Sequence, residues 1–276
     1  MNKPLINNRT ASEIKQFCTR PTHALMISGE NGAGLDTAVE HVISLLRTNH
    51  KQIVVTTVEP LEKTAIGIDD VRSLRMSLKH KQSDQQVSRV VILRLVENMQ
   101  REAQNALLKL LEEPPEGVLF VLTTHDEASV LQTIRSRAIR IYVLPVTIRE
   151  AREFFTELPL EELERALILC DGLPGKLVKL LSRTEDPEKD YLSQAREILK
   201  SSTYDRLRFV EERFKTKSAA TGMLSGLQSL CRAAMLQNPA KQNWHHNLTE
   251  VLHAQDMIKA NVQTKLVLDH LFINIK

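Results

Sequence analysis

The sequence predicts an α/β domain built on a parallel five-stranded sheet, followed by a second half that is entirely helical. In the first half, short apolar runs alternate with segments of helical periodicity, which is typical of strands joined by helical crossovers. After Pro145 the strand pattern ends, and amphipathic helical segments follow one another with short breaks. The chain has 276 residues, which is enough for two or three domains.

Five runs carry the strand pattern. They are rich in Val, Ile and Leu without strict alternation, which indicates burial on both faces of the sheet. The predicted strands run from Ala24 to Ser28, Ile53 to Val58, Val90 to Leu93, Leu119 to Thr124 and Ile139 to Leu144.

The clearest helix pattern lies between the third and fourth strands, from Glu97 to Glu113, and Pro114 and Pro115 end it. In the second half we expect a group of three helices, then a polar linker with Pro187, then about five helices up to Lys276. The three helices are predicted at Thr147 to Leu158, Glu161 to Cys170 and Lys176 to Leu181, and the linker at Ser182 to Lys189.

A glycine-rich loop follows the first predicted strand. It has the frame of the G-x-x-x-x-G-K-[ST] loop, in which backbone N–H groups and a Lys hold phosphate and a Ser or Thr hydroxyl holds Mg²⁺. Here the Lys position is Leu35 and the hydroxyl position is Asp36, whose anion lies where a helix N-terminus would otherwise attract phosphate. The loop residues of interest are Gly29, Gly32, Gly34, Leu35, Asp36 and Thr37.

Composition excludes several classes of protein. The net charge of +3 gives no bulk electrostatic argument for nucleic-acid binding. Cys18, Cys170 and Cys231 are too far apart for a C-x-x-C metal site and are odd in number, so we expect buried or incidental thiols and no metal. No apolar run reaches the ~20 residues that cross a bilayer, and the polar start does not resemble a secretion signal. We therefore expect a cytoplasmic protein without membrane contact.

The segment from Asn105 to Pro115, NALLKLLEEPP, closely resembles the N-A-L-L-K-x-L-E-E-P-P block of bacterial DNA polymerase III clamp loaders, the AAA+ assemblies that open sliding clamps around primed DNA. Further matches occur in register at His23 to Leu25, Ile68 to Arg72, and Ser136-Arg137. The resemblance covers roughly residues 20 to 145, with weaker similarity beyond, and the broken loop resembles a member that need not hydrolyse ATP.

A second position agrees with loss of hydrolysis. In active members of this family an acidic pair ends the third strand, and the corresponding residues here are Arg94 and Leu95. Phosphoryl transfer depends on positioned charge and metal, so the resemblance implies a chain that is not itself an enzyme and has no cofactor. Thr123 corresponds to a phosphate-sensing position. Because Asp36 and Arg94 inherit positions that meet at one magnesium ion, we expect them to form an ion pair within about 6 Å.

The resemblance assigns a different role to Ser136 and Arg137. In the family, a Ser-Arg-Cys motif supplies an arginine finger to the ATP of a neighbouring subunit, and Ala138 replaces the Cys here. Without the resemblance, Arg135, Arg137 and Arg140 would be read as a solvated basic face.

The family implies an AAA+ domain at residues 1–146, a helical lid at 147–186 and a C-terminal helical collar for oligomerisation at 187–276. Its implied partners are ATP-binding clamp-loader subunits and the delta subunit in a five-subunit assembly, the sliding clamp, and primed DNA through the assembly. The implied function is support of ATP-dependent clamp loading in replication. Two alternatives stay open: a divergent ATP-hydrolysing AAA+ motor subunit, and an AAA+-like module that binds nucleic acid or protein outside replication.

Overall fold

The computed structural model describes residues 4–49, 53–58, 66–78, 87–182, 187–214, 216–238 and 242–276. They divide into two compact units. The first takes in the residues up to Thr156 together with Leu173–Gly175, and the second takes in Glu157–Gly172 and the residues from Lys176 onward.

The first unit contains a five-stranded parallel sheet, as predicted. Its order is β2-β3-β4-β1-β5, and every neighbouring pair is parallel. The strands are β1 Ala24–Ser28, β2 Val54–Val58, β3 Arg89–Leu93, β4 Val118–Thr124 and β5 Ile139–Tyr142. The carboxyl ends of β3, β4 and β1 therefore lie side by side, which is where ligand sites of open parallel sheets are found.

Thirteen α-helices are present in the described residues. Several begin at a side chain that accepts a backbone N–H of the first turn, as Asn7, Thr147, Ser202 and Thr216 do. The helices are α1 Asn8–Thr19, α2 Leu35–Asn49, α3 Ile68–Ser77, α4 Arg101–Glu112, α5 Gln132–Arg135, α6 Ile148–Phe154, α7 Leu160–Leu169, α8 Pro174–Leu181, α9 Pro187–Lys200, α10 Thr203–Arg213, α11 Lys217–Gln237, α12 Gln242–Lys259 and α13 Thr264–Asn274.

Alternate residues of the buried strands supply two cores, one on each face of the sheet. Leu25 and Ile27 of β1 pack with α1 and α2, whereas Ala24 and Met26 pack with α3, α4 and α5. The prediction of burial on both faces is correct for β1, β3 and β4. It is wrong for β2 and β5, which are the sheet edges and keep exposed residues such as Val54 and Ile139.

Two predicted boundaries are wrong for local reasons. The helix predicted from Glu97 is interrupted, because Val96–Asn98 forms a 3-10 turn and Met99 is extended before α4 begins at Arg101. The carboxylate of Glu97 instead accepts the N–H of His125 at 3.0 Å, which ties this segment to the end of β4. The predicted linker also ends early, since α9 begins at Pro187, a residue suited to a first helical turn; residues 183–186 lie outside the described part.

The helical unit has its own core, formed by buried apolar residues of α9 to α13, among them Phe209, Leu224, Val251 and Phe272. All three cysteines are buried thiols outside any disulfide, as expected. Burial raises the pKa of Cys18 and of Cys231 to about 11, so both are thiols at neutral pH. Within the described residues, no helix has the length and apolar character needed to span a bilayer.

Glu150 fastens the start of α6 to the N-terminus of α1. Its side chain is 8% exposed, and it accepts the N–H of Asn8 at 2.6 Å and the N–H of Thr147 at 2.7 Å. Burial raises the pKa of this carboxyl, but the hydrogen bonds from Thr147 and Asn8 outweigh burial and leave the pKa below its usual value.

We expect Glu150→Gln to lower the free energy of unfolding by about 1–2 kcal/mol at neutral pH, because the N–H groups lose a charged acceptor. Because the pKa of Glu150 is lower in the folded than in the unfolded protein, its carboxylate stabilises the fold at pH values above the unfolded pKa of about 4.3. This stabilisation is lost as the pH falls through the folded-state pKa. Urea unfolding should show that the difference in free energy of unfolding between wild type and variant is smaller at about pH 3 than at about pH 7.

A matched control is Glu13→Gln on α1, where the carboxylate is 39% exposed and pairs with Arg9 at 3.0 Å. It should change stability by less than about 0.5 kcal/mol. If the difference in free energy of unfolding between wild type and Glu150→Gln is the same at low pH, the destabilisation comes from altered packing and not from the lost charge.

Candidate functional site

The loop between β1 and α2 turns at two glycines with positive φ, Gly32 at 91° and Gly34 at 80°. Ala33 donates its N–H to the carbonyl of Glu30 at 2.8 Å, and α2 starts with the N–H of Ala38 on the carbonyl of Gly34 at 3.0 Å. Residues other than glycine rarely adopt such φ values, so the two glycines fix the path of the chain. The backbone thus forms a tight loop leading into a helix N-terminus.

Leu35 points into the protein core. Its side chain is 5% exposed and belongs to the core shared with α1 and β1. It lies close to Gly29, since a Cβ built on that glycine would stand 3.3 Å from a Leu35 methyl group. The side chain at the Lys position therefore stabilises the loop from within and presents nothing to a phosphate.

Asp36 and Arg94 form an ion pair, with Nη1 of Arg94 donating to Oδ1 of Asp36. The predicted pair is therefore present. The Arg94 side chain is 32% exposed and that of Asp36 is 66% exposed, so solvent screens the attraction and we expect a contribution of at most about 1 kcal/mol. The location of the pair is more informative than its energy. It joins the first turn of α2 to the end of β3, where an active relative would hold Mg²⁺.

Polar groups at the neighbouring strand ends are bonded within the protein. The hydroxyl of Thr123, which is buried, accepts the N–H of Leu95 at 3.1 Å. Leu95 has a φ of 52°, a conformation unusual for this residue type. At the end of β1, Ser28 donates its hydroxyl to Glu127 at 2.5 Å. These polar groups therefore satisfy one another's hydrogen bonds. The position of Thr123 is explained without a phosphate-sensing role.

The segment from Leu173 to Gly175, where α8 begins, lies against the loop. Leu173 is buried in the core beneath α2, and Gly175 donates its N–H to the carbonyl of Gly32 at 2.8 Å. A Cβ on Gly175 would come within 3.3 Å of the nitrogen of Gly34. The run Gly172-Leu173-Pro174-Gly175 is typical of a break between helices, but no local pattern encodes its contact with the loop.

Carboxylates surround the mouth of the loop. Burial chiefly raises the pKa of Tyr142, and the charges of Glu30 and Glu127 raise it further, so both carboxylates act on the end of β5. Asp36 adds a third carboxylate in the first turn of α2. Asp36 is paired with Arg94 and Glu127 with Arg140, so the charges of these two carboxylates are partly neutralised.

The residues present do not fit a nucleotide with its magnesium ion. The Lys position is buried leucine, the hydroxyl position carries an anion already paired with Arg94, and the third strand ends without a carboxylate. We therefore derive no catalytic step at this loop. Within the described ranges, no group of three or more His, Cys, Asp or Glu side chains is arranged to hold a metal ion.

Arg137 lies just after α5 and is held at the surface. Its Nη2 donates to Oε1 of Glu112 at 2.7 Å, and its Nη1 donates to the carbonyl of Thr133 at 3.0 Å. Ser136 donates its hydroxyl to the same carbonyl at 3.0 Å. The Arg137 side chain is 36% exposed, so the guanidinium is both oriented and accessible.

The neighbouring arginines differ from Arg137. Arg140 lies 3.4 Å from Glu127 and is 56% exposed, so it belongs to the loop mouth. Glu112, the partner of Arg137, is one of the two glutamates of the NALLKLLEEPP block. The sequence indicates that block but not this contact, because Glu112 and Arg137 are 25 positions apart in the chain.

The strand order, the glycine loop after β1 and the helices that follow define an AAA+ domain with additional helical structure. The chain aligns with a DNA polymerase III gamma subunit-related protein of Thermotoga maritima at a TM-score of 0.50 and 19% identity, over 96% of this chain and 97% of that one. At this identity the likeness supports the fold alone.

The family model described as DNA polymerase III, delta subunit, matches residues 5–147, and the chain belongs to this family of clamp-loader subunits. The DNA polymerase III subunit delta' of Yersinia pestis is 41% identical over 99 residues, which are 36% of this chain and 28% of that protein. The delta' subunit of Escherichia coli is 30% identical over 136 residues, 48% of this chain and 40% of that protein. The matched region thus spans well under half the length of these relatives.

Proposed function

We propose that this chain is a non-hydrolysing delta-prime subunit of a bacterial DNA polymerase III clamp loader, supporting the ATP-dependent loading of a sliding clamp onto primed DNA. The observation that carries the proposal is the Asp36–Arg94 ion pair. It occupies the two positions at which an active relative would hold magnesium, and buried Leu35 removes the lysine as well. Family membership supplies the replication context.

In this proposal the active group is Arg137, which acts on a neighbour's ATP. An arginine supplied in trans stabilises the charge of the phosphoryl-transfer transition state. Glu112 and the Thr133 carbonyl hold the guanidinium in place before the neighbour arrives. Restricting the side chain in advance reduces the entropy that is lost when it engages a phosphate.

The proposed partners are ATP-binding clamp-loader subunits and the delta subunit in a five-subunit assembly, together with the sliding clamp and primed DNA. We propose residues 1–146 as the AAA+ domain, 147–186 as a helical lid and 187–276 as the collar that builds the oligomer.

The test begins with the purified full chain and Mg-ATP. We expect no turnover above background and no saturable binding of a fluorescent ATP analogue, for the wild type and also for Asp36→Ala, since removing the pair does not restore lysine or metal ligands. Steady hydrolysis by the wild type would instead identify a divergent motor subunit. Mixing with the organism's own clamp-loader subunits should then give a stable complex that loads clamps.

Failure to join these subunits, combined with strong salt-dependent binding of DNA by the chain alone, would favour a nucleic-acid-binding module outside replication. Stable behaviour without clamp-loader partners and binding of an unrelated protein would favour the protein-binding alternative. Either result would contradict the proposal.

A further inference from the structure

The helical unit contains a groove between α7, α9, α11 and α12. We call it the α7–α12 groove. Its volume of about 370 Å³ is within the range of sites that bind ligands. It is lined by Arg165, Ile168, Leu169, Arg196, Leu199, Lys200, Leu230, Ala233, Ala234, Gln237 and Trp244.

The floor and the rim of the groove differ in chemistry. Aliphatic side chains from three helices, including Ile168, Leu199 and Leu230, are partly exposed along it, and the half-buried indole of Trp244 completes the apolar surface. Three side chains at the rim are cationic, namely those of Arg165, Arg196 and Lys200, and no lining residue in the described part of the chain is acidic. An apolar groove with charge of a single sign at its edge is suited to an amphipathic anion.

The rim cations are available to a partner. The Arg165 guanidinium is 74% exposed and reaches Glu161 only at 3.8 Å, a distance at which an exposed pair is weak. Arg196 and Lys200 are exposed, and among the described residues neither has a carboxylate within ion-pair distance. The adjacent Glu197 pairs with Arg213 at 2.8 Å instead.

We propose that the α7–α12 groove is a docking site for an acidic amphipathic peptide segment of a partner protein. Leucine or aromatic side chains of the segment would lie on the floor, and its carboxylates would face Arg165, Arg196 and Lys200. This is the helix-in-groove mode of recognition, in which anchors spaced three or four residues apart enter an apolar channel. The binding does not depend on the proposed role in clamp loading.

Single-stranded nucleic acid fits the groove less well. Sites for it stack successive bases on several aromatic side chains, and Trp244 is the one aromatic residue of this lining. The aliphatic floor also offers no hydrogen-bond partners for base edges, and Gln237 is the one uncharged polar side chain that lines it. The groove therefore favours a peptide with apolar anchors.

Trp244 makes the test direct, because it is the only tryptophan in the chain and its fluorescence reports on the groove. The probe is a synthetic amphipathic peptide of about 15 residues with Leu and Phe at helical spacing and Glu elsewhere. It is titrated into the full chain beside a version with Gln in place of Glu, a version with Lys, and oligo(dT) of similar length.

We expect the Glu peptide to change the Trp244 fluorescence saturably, with affinity at least about 10-fold above that of the Gln peptide, and the Lys peptide not to bind. Arg196→Glu/Lys200→Glu should weaken the Glu peptide about 10-fold or more. The matched control Lys259→Glu reverses an 80% exposed charge on α12 outside the lining and should leave binding unchanged.

Ala234→Phe is a second variant that fills the groove without altering charge, and it should also abolish binding while circular dichroism shows an intact fold. Several results would overturn the proposal: no binding of the Glu peptide up to about 1 mM, equal binding of the Gln or Lys peptide, or insensitivity to the groove variants. Displacement of the peptide by oligo(dT) at similar concentration would show a nucleic-acid site instead.

Discussion

Arg137→Ala in the reconstituted clamp loader should reduce ATP turnover at the site that faces this subunit by on the order of 10³-fold, the lower range for an arginine supplied in trans. The loss should appear in the chemical step, because the guanidinium stabilises charge that develops in the transition state. Single-turnover hydrolysis in the assembled complex is the measurement. Arg137→Lys should recover little activity, since an ammonium lacks the planar fork of the guanidinium.

The fold should survive this substitution. The Arg137–Glu112 pair is at the surface, with side chains 36% and 43% exposed, so its loss should cost less than about 1 kcal/mol. Arg149→Ala is a suitable control, because that arginine is 86% exposed on α6 and should have no effect on turnover. Unchanged single-turnover hydrolysis with Arg137→Ala, in a complex shown to be assembled, would remove the proposed role.

Glu112→Gln separates positioning from charge at this site. It should lower turnover less than Arg137→Ala, because the guanidinium keeps its bond to the Thr133 carbonyl and its own charge. A faster rate would indicate that Glu112 restrains Arg137 and does not prepare it.

Gly175→Ala should destabilise the sheet unit by about 2 kcal/mol, as expected for overpacking. A Cβ at this position would lie 2.7 Å from the carbonyl oxygen of Gly32 and 3.3 Å from the nitrogen of Gly34. Both neighbours are backbone atoms and cannot swing aside, so the turn and the loop must separate and the hydrogen bond between them must lengthen. Urea unfolding followed by circular dichroism gives the loss of stability.

Hydrogen exchange locates that loss. The amides of residues 29–35 and of the start of α8 should exchange faster in Gly175→Ala, whereas those of α12 should not. Gly67→Ala is the matched control: a Cβ there would meet only the Asp70 carboxylate, at 3.6 Å, and the backbone φ is negative. Because Gly67 is the N-cap of α3, where Ala is less favourable than Gly, we expect a loss of no more than about 1 kcal/mol. Equal stability of Gly175→Ala and wild type would mean that the turn does not support the loop.

The parallel sheet could be read from the sequence because its signal is local. Apolar runs of strand length, separated by helical periodicity, describe β1, β3 and β4 closely. The edge strands were predicted with the same burial and proved half exposed, since a run of β-branched residues does not say whether the strand has one neighbour or two. The break at Met99 was missed because the contact that imposes it, between Glu97 and His125, joins distant parts of the chain.

The candidate site, like the fold, has some features that the sequence predicts and others that it does not. Residue identities at fixed spacing were sufficient to recognise the altered loop. The correspondence of Arg94 and Leu95 to an acidic pair and the candidate role of Arg137 came only from the resemblance to clamp loaders. The Asp36–Arg94 pair was predicted only because a resemblance supplied the spatial neighbourhood of two residues 58 positions apart. The link from Arg137 to Glu112 and the contact of Gly175 with Gly32 were not predicted.

By itself, then, the sequence determined most of the helices and strands and the departures of the loop from the phosphate-binding pattern, because helical period, strand composition and the identity of a side chain are properties of neighbouring residues. Only the tertiary structure decided which contacts the residues at and around the loop make. Leu35 turns into the core, Arg94 reaches Asp36, and the turn at Gly175 closes on Gly32. Such contacts depend on how the sheet brings distant strand ends together, and the free energy of packing that selects them belongs to the folded chain as a whole.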